Sequence, residues 1–235
     1  MKGKLYLIPT FLHELSTVEQ LPPFNLEIIK SIKHYLVENE RSARRFISSL
    51  QLGIDISTLE LFLLDKNTPK ESIKPFIDML IKGNNVGVMS EAGCPGIADP
   101  GSMAVELAHI YEIEVVPLVG PSSITLALMA SGFNGQSFAF HGYLPIQKND
   151  RIIKLKQLES ESSKKNQTQI FIETPFRNDS LFSDILNNCH PNTFICVAVD
   201  LQSPHQLIKS KTVIQWKQTH IQLNKKPAIY LLNAV

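Results

Sequence analysis

The chain has 235 residues, 43% of them hydrophobic and 19% charged, a composition that builds a core and excludes a disordered chain. A formal net charge of +1 (23 Lys and Arg against 22 Asp and Glu) excludes a global field toward nucleic acid or membrane and leaves only a local basic patch open. Three cysteines, Cys94, Cys189 and Cys196, without a CxxC pair, argue against a disulfide framework and against a metal site, and for a reduced, cytoplasmic protein.

The start, Met1-Lys2-Gly3-Lys4, has no signal-peptide pattern. No apolar stretch approaches the roughly 20 residues that span a bilayer, so no membrane partner is expected. Residues 5–9 read as a short buried strand and residues 10–24, with Pro22-Pro23, as a loop. Ile28, Ile29, Ile32, Tyr35 and Leu36 stand at helical spacing and predict a helix over 26–39. Residues 38–42 interrupt it and 43–50 resume a helix. Thr68-Pro69-Lys70-Glu71 has the pattern of a capping box with Pro at N1. Behind it Ile73, Phe76, Ile77 and Leu80 share one face, and Lys82-Gly83 closes the helix. A strand over 85–90, a helix over 102–111 and a strand over 114–119 alternate, which predicts a parallel sheet with helices on both faces.

After Gly120 the pattern restarts. A helix over 122–131 closed by Gly132 precedes a strand over 137–143, a short helix over 151–158 and a polar connector over 159–167. A strand over 168–173, a helix over 178–188 and a strand over 194–199 follow. Thr212-Val213-Ile214-Gln215 is a second capping-box pattern, and 228–232 is the last strand. The expected organisation is an N-terminal parallel-sheet α/β domain over 1–119 and a C-terminal α+β domain over 120–235, with a ligand cleft between them.

Residues 86–131 carry most of the chemistry. V-G-V-M-S-E-A-G-C-P-G-I-A-D-P-G-S and E-V-V-P-L-V-G-P-S-S-I each run from a strand pattern into a loop that opens a helix. Loops at the carboxyl ends of parallel strands are where ligands sit. Gly93, Gly96, Gly101 and Gly120 let the main chain approach one closely.

The first of these segments resembles the motif V-S-D-A-G-T-P-x-I-S-D-P-G, and V-V-P-L-V-G-P-S-S-I resembles V-x-P-L-P-G-P-S-A. H-G-Y-L-P from His141 resembles G-F-L-P, I-F-I-E-T-P-F-R from Ile170 resembles F-Y-E-S-P-x-R, and L-Y-L-I-P-T from Leu5 resembles L-Y-L-V-A-T-P. In register over nearly the whole chain, they are similar to the tetrapyrrole methylase superfamily, the class III S-adenosylmethionine methyltransferases. The nearest branch is ribosomal RNA small subunit methyltransferase I, which methylates a cytidine ribose 2′-oxygen.

The resemblance implies the two-domain tetrapyrrole methylase-like fold, a homodimer, S-adenosylmethionine as methyl donor, and ribosomal RNA or the small ribosomal subunit as partner. It implies cofactor contacts at Gly93, Cys94, Pro95, Ile97 and Ala98, at Pro121, Ser122 and Ser123, at Phe171, Ile172 and Glu173, and at Pro227 and Ala228. Plain structural roles compete at several of these: Ser122 as a helix cap, Phe171 as core. Asp99 or Ser102 reads as the N-cap of the next helix, and Arg177 as an anion contact or a solvated side chain. For proton transfer the candidates are Glu91, Glu14 and His13, then Glu40 with Arg41, and His141; Glu91 stands at a strand end where the branch has Asp. The first loop, Thr10-Phe11-Leu12-His13-Glu14, lacks the glycine of the branch's T-P-I-G-N, and Glu38-Asn39-Glu40-Arg41 replaces E-D-T-R. Two further functions therefore stay open: a methylase of a small tetrapyrrole-like ring, and a binder of the nucleoside without turnover.

Overall fold

Alternation of buried side chains decides the first sheet. Tyr6, Ile8, Tyr35, Val37 and Met89 belong to one apolar cluster, and Leu5, Leu36, Val86 and Val88 to another. Successive residues of a strand point to opposite faces, so a sheet with both faces apolar must be covered twice. The computed structural model, which describes residues 1–65 and 67–234, shows this covering. Strands β1 (Leu5–Leu7), β2 (His34–Val37), β3 (Glu60–Leu63), β4 (Val86–Met89) and β5 (Val115–Pro117) form a sheet of order β3-β2-β4-β1-β5. Every pairing in it is parallel. Helices α1 (Pro23–Ser31) and α2 (Glu40–Ser49) supply Ile29, Phe46 and Ile47 to one face. Helices α3 (Lys74–Ile81) and α4 (Ser102–Ile110) supply Phe76, Ile77, Leu80, Ala104 and Ala108 to the other. These elements lie in a compact unit, Met1–Ser122; Ser123–Val235 form a second.

Two local expectations are corrected in the first unit. The helix predicted over 26–39 is two elements: α1 begins at Pro23, with proline in its first turn, and ends at Ser31, and β2 follows. A short apolar run has no period of its own. Hydrogen bonding to β3 and β4 on either side makes Tyr35, Leu36 and Val37 a central strand, each at most 1% exposed. The edge strand β3 shows no clean alternation: Leu61 is buried on one face, Phe62 packs edge-on against Phe76 at 4.4 Å on the other, and Glu60 and Leu63 are exposed. Thr68 caps nothing: its hydroxyl donates to the Asp65 carboxylate and accepts the Asp65 N–H. A 3-10 turn over Lys70–Ile73 then leads into α3 at Lys74.

The second unit contains α5 (Ser123–Ser131), β6 (Phe138–Tyr143), α6 (Lys148–Lys165), β7 (Thr168–Glu173), α7 (Asn178–Asn188), β8 (Phe194–Val199), β9 (Leu207–Thr212), α8 (Val213–Trp216) and β10 (Ala228–Asn233). Its sheet runs β6-β7-β10-β8-β9. Only β6 and β7 are parallel; the other pairings are antiparallel. One face packs on α6 and α7 through Phe171, Val197, Tyr230, Leu158, Leu181 and Ile185, and α5 packs on β9 and β10. The predicted capping box at Thr212 is present: the Gln215 N–H donates to its hydroxyl at 3.4 Å, and the Gln215 side chain accepts the Thr212 N–H at 3.0 Å.

The polar connector predicted over 159–167 is instead the second half of α6, an 18-residue helix. Its inward residues include polar ones that are satisfied across the fold. Ser162, wholly buried, accepts the Ala234 N–H at 2.9 Å, and Glu159 accepts the His190 N–H at 2.7 Å. An inward face of this kind leaves no apolar period to read. Near the start of α6, Arg151 is 4% exposed. Its guanidinium donates to Asp184 Oδ2 at 2.8 and 2.5 Å, to Ser180 Oγ at 3.1 Å and to the Ile146 carbonyl at 2.8 Å. It thereby ties the turn after β6 to α6 and α7. Among the described residues no helix is long and apolar enough to cross a membrane.

Candidate active site

Parallel pairing of β1 with β4 brings the segments that leave their carboxyl ends together. Thr10 and Gly93 exchange two main-chain hydrogen bonds, at 2.9 and 3.2 Å, and the Thr10 hydroxyl donates to the Ser90 carbonyl at 3.2 Å. From Gly93 the chain folds back on itself. Gly93, Gly96, Ala98 and Gly101 all have positive φ, and the Gly96 N–H bonds the Pro100 carbonyl at 3.1 Å. The loop after β5 joins them. The Cys94 thiol donates to the Pro121 carbonyl at 3.3 Å, and Gly120 lies against Pro9 so closely that a Cβ would sit 2.3 Å from the proline Cβ. Gly93, Cys94, Pro95, Ile97, Ala98 and Pro121 are thus one constellation within the first unit. Gly93, Pro95 and Pro121 are buried, while Ile97 and Ala98 are exposed.

The loop without a glycine docks on this constellation. A Cβ on Gly93 would meet Leu12 Cδ2 at 3.2 Å, whereas Phe11 turns to the core and packs edge-on against Phe46 at 5.2 Å. Thr10 and Leu12 are not among the contact residues that the resemblance implied, although Thr10 matches the family's first motif.

Neither Asp99 nor Ser102 caps α4, which corrects the expectation. The N-cap is Gly101, with no side-chain bond. Asp99 is instead a half-buried carboxyl pushed up to about 6, first by burial, then by the charges of Glu38 and Glu91, against a hydrogen bond from Ser90. Burial and the Asp99 charge in turn raise the Cys94 thiol. The climb from an ordinary carboxyl corresponds to about 3 kcal/mol, which solvent screening at this position cuts to about 1 kcal/mol. A carboxyl raised in the folded state contributes its stability at low pH and loses it as pH rises through about 6. Asp99→Asn is therefore expected to be more stable than the parent above pH 7 by about 1 kcal/mol, with the gain gone below about pH 4. Urea unfolding across that range measures it, and a gain independent of pH would contradict it.

Glu91 is exposed, accepts the Ser42 hydroxyl at 2.9 Å, and donates its N–H to Glu38 at 3.3 Å. Glu14 is exposed. His13 Nδ1 accepts the Leu15 N–H at 3.1 Å, so that nitrogen is committed to its own turn. Glu40 pairs with Arg44 at 3.8 Å on α2, and His141 with Gln169 at 2.6 Å. Among the described residues no three His, Cys, Asp or Glu are grouped to hold a metal ion.

In the second unit, antiparallel register sets Ala228 opposite Glu173, Ile229 opposite Ile172 and Tyr230 opposite Phe171. This brings four predicted contacts, Ile172, Glu173, Pro227 and Ala228, to one sheet end. Phe171 has no exposed surface and stacks on Tyr230 at 5.8 Å, so its side chain is core and offers no ligand contact. Glu173 is buried, pairs with Arg177 at 2.5 Å, and accepts the Thr174 N–H at 2.6 Å. Arg177 is therefore held in place, not loosely solvated. Ser122 and Ser123 are half-buried, Ser123 as the first residue of α5.

The chain matches no protein-family model. It is 32% identical over 184 residues to the ribosomal RNA small subunit methyltransferase I of Thermotoga maritima, covering 78% of this chain and 77% of that protein. The chain belongs to the ribosomal RNA small subunit methyltransferase I family. The protein of that name from Buchnera aphidicola subsp. Acyrthosiphon pisum is 29% identical over 217 residues, 91% of this chain and 73% of its own length. The crystal structure of uroporphyrin-III-C-methyltransferase from Thermus thermophilus shares the fold, with a TM-score of 0.56 at 19% identity over 99% of this chain and 93% of that one. Membership in the ribosomal RNA small subunit methyltransferase I family makes the chain a methyltransferase.

Proposed function

We propose that this protein transfers a methyl group from S-adenosylmethionine to a ribose 2′-oxygen of ribosomal RNA, as a cytoplasmic homodimer. The observation that carries this reading is the self-folded loop of residues 93–101, held to Thr10 by two main-chain bonds and to Pro121 by the Cys94 thiol. Four left-handed residues leave it with little side-chain bulk facing its neighbours. A flat, extended nucleoside needs such a cradle: close main-chain approach at Gly93, Cys94 and Pro95, with Ile97 and Ala98 exposed beside it. Ser122 and Ser123, at the start of α5, add hydroxyl and N–H donors suited to a carboxylate or ribose. Ile172, Glu173, Pro227 and Ala228 are further contact candidates in the second unit.

The sulfonium donor supplies a methyl group with a good leaving group already attached. What remains for the protein is alignment and exclusion of water, and acceptance of the hydroxyl proton. We assign that last task to Asp99 in preference to Glu91. At about 6 it is ionised at neutral pH yet more basic than an ordinary carboxylate, and it extends from the same loop that cradles the donor.

Calorimetric titration with S-adenosylmethionine and S-adenosylhomocysteine, followed by tritium transfer to unmethylated small ribosomal subunits, tests the proposal. Binding of both and label on a ribose are expected, with affinity about tenfold weaker after Ala98→Trp. Absence of heat with either nucleoside would overturn the reading. The docking of Leu12 on Gly93 favours one alternative, binding without turnover, which predicts heat but no label.

A further inference from the structure

The second unit has an open groove of about 520 Å³ between the C-terminal half of α6 and the turn over residues 190–193. None of the residues assigned above to donor binding or proton transfer lines it. We propose that this groove grips the phosphate backbone of the RNA substrate, an inference that rests on ribosomal RNA being the methyl acceptor.

The chemistry of the lining is that of donors. Lys156, Ser160 and Lys164 lie along one side of α6, and His190 and Asn192 face them from the turn. Glu159 is the acid among the lining residues, and its Oε1 is already engaged, accepting the His190 N–H at 2.7 Å and the Thr193 hydroxyl at 2.5 Å. The His190 ring is oriented as well: its Nδ1 accepts the Asn192 N–H at 3.3 Å, so even the neutral imidazole keeps its proton on Nε2 as a donor.

Three of the five lysines of α6 are engaged: Lys148 lies 4.0 Å from the Asp184 carboxylate. Lys165 pairs with Glu161 and Lys154 with Gln157, both within the helix. Lys156 and Lys164, the two in the groove, have no ion pair or hydrogen bond among the described residues. Cations left unpaired in a concave, donor-rich site fit an oxyanion that accepts several bonds at once. Eight residues separate their Cα atoms, about 12 Å along the helix. That spacing favours neighbouring phosphates of a strand over one small anion. A chain of net charge +1 has no overall field for RNA, so its phosphate contacts must come from local clusters of this kind.

Fluorescence anisotropy with a labelled fragment of small-subunit ribosomal RNA, titrated from 50 to 300 mM salt, tests the assignment. Against the parent, Lys156→Ala/Lys164→Ala is expected to bind about tenfold more weakly at physiological salt, with a log–log salt slope reduced by between about 1 and 2. Lys156→Arg/Lys164→Arg is expected to retain affinity, and an unchanged melting temperature excludes misfolding as the cause. Equal affinity and equal slope in the alanine variant, while the parent binds and methylates small subunits, would overturn the groove and leave the proposed function standing. Failure of the parent itself to bind or methylate those subunits would overturn the proposed function, and the groove with it. Inorganic phosphate that perturbs the His190 NMR signals at millimolar concentration, with no perturbation by the RNA fragment, would make the groove a small-anion site and also overturn the proposal.

Discussion

Gly120→Ala is expected to lower the melting temperature by about 8 °C and to weaken S-adenosylmethionine binding at least tenfold. The reason is geometric. The added Cβ would lie 2.3 Å from Pro9 Cβ and 2.6 Å from Pro9 Cγ, distances no packed carbons tolerate. Pro9 cannot swing aside, since its ring fixes φ and the next residue, Thr10, is bonded twice to Gly93. Gly120 is held too: Leu118 is bonded to the Leu7 carbonyl at 3.0 Å, and the Pro121 carbonyl carries the Cys94 thiol. Relief must separate the ends of β1 and β5, and with them the loop of residues 93–101. Overpacking of this severity costs about 3 kcal/mol, and a chain of this size loses about 2–4 °C per kcal/mol. Gly135→Ala is the control, because a Cβ there meets nothing within 4 Å; less than about 0.5 kcal/mol is expected. Differential scanning fluorimetry with and without the nucleoside measures both, and equal melting curves for the two variants would refute the account.

The largest effect is expected at Arg151. Arg151→Met should destabilise the protein by about 4 kcal/mol, because removing one partner of a buried pair strands the other. Asp184, only 5% exposed, would be left with Lys148 at 4.0 Å as its remaining ion-pair partner; that lysine is 72% exposed and brings little. The Ile146 carbonyl and Ser180 hydroxyl would lose their donor at the same time. Arg151→Lys should recover little of the loss. The site uses a planar fork that reaches a carboxylate, a hydroxyl and a carbonyl together, which one ammonium cannot reproduce. The double variant Arg151→Met/Asp184→Leu should regain more than half, since an apolar pair leaves no stranded charge. Urea unfolding of the four proteins decides. A double variant as unstable as Arg151→Met would show that the energy lies in the carbonyl and hydroxyl bonds, not in the ion pair.

The elements read correctly are those whose signal is local. Asn178–Asn188 and Phe194–Val199 were readable to the residue because Leu181 and Ile185 keep helical spacing and the strand is an unbroken apolar run. The capping box at Thr212 was legible because both of its bonds lie within four residues, whereas the same pattern at Thr68 failed because Asp65 competes for the hydroxyl. At the candidate site, the glycines of residues 93–101 announced a close main-chain approach, and the motifs around them carried the family. Asp99 was legible only as a cap, because what raises it is burial together with Glu91 and with Glu38, which the end of β2 brings to it.

Local patterning and motif order by themselves determined a parallel α/β half followed by an α+β half, the methyltransferase family, and the glycine-rich segment on which its chemistry centres. Such features depend on residues a few positions apart, where periodicity and backbone freedom act directly. Only the tertiary structure decided that Tyr35 to Val37 form a central strand, that the polar stretch after Leu158 is a helix bonded inward through Ser162 and Glu159, that Arg151 is a buried tie, and that Thr10 closes on Gly93. Each depends on a partner far away along the chain, 80 residues in the case of Thr10 and Ser90, and a buried polar group reveals its role only once the fold has brought that partner to it.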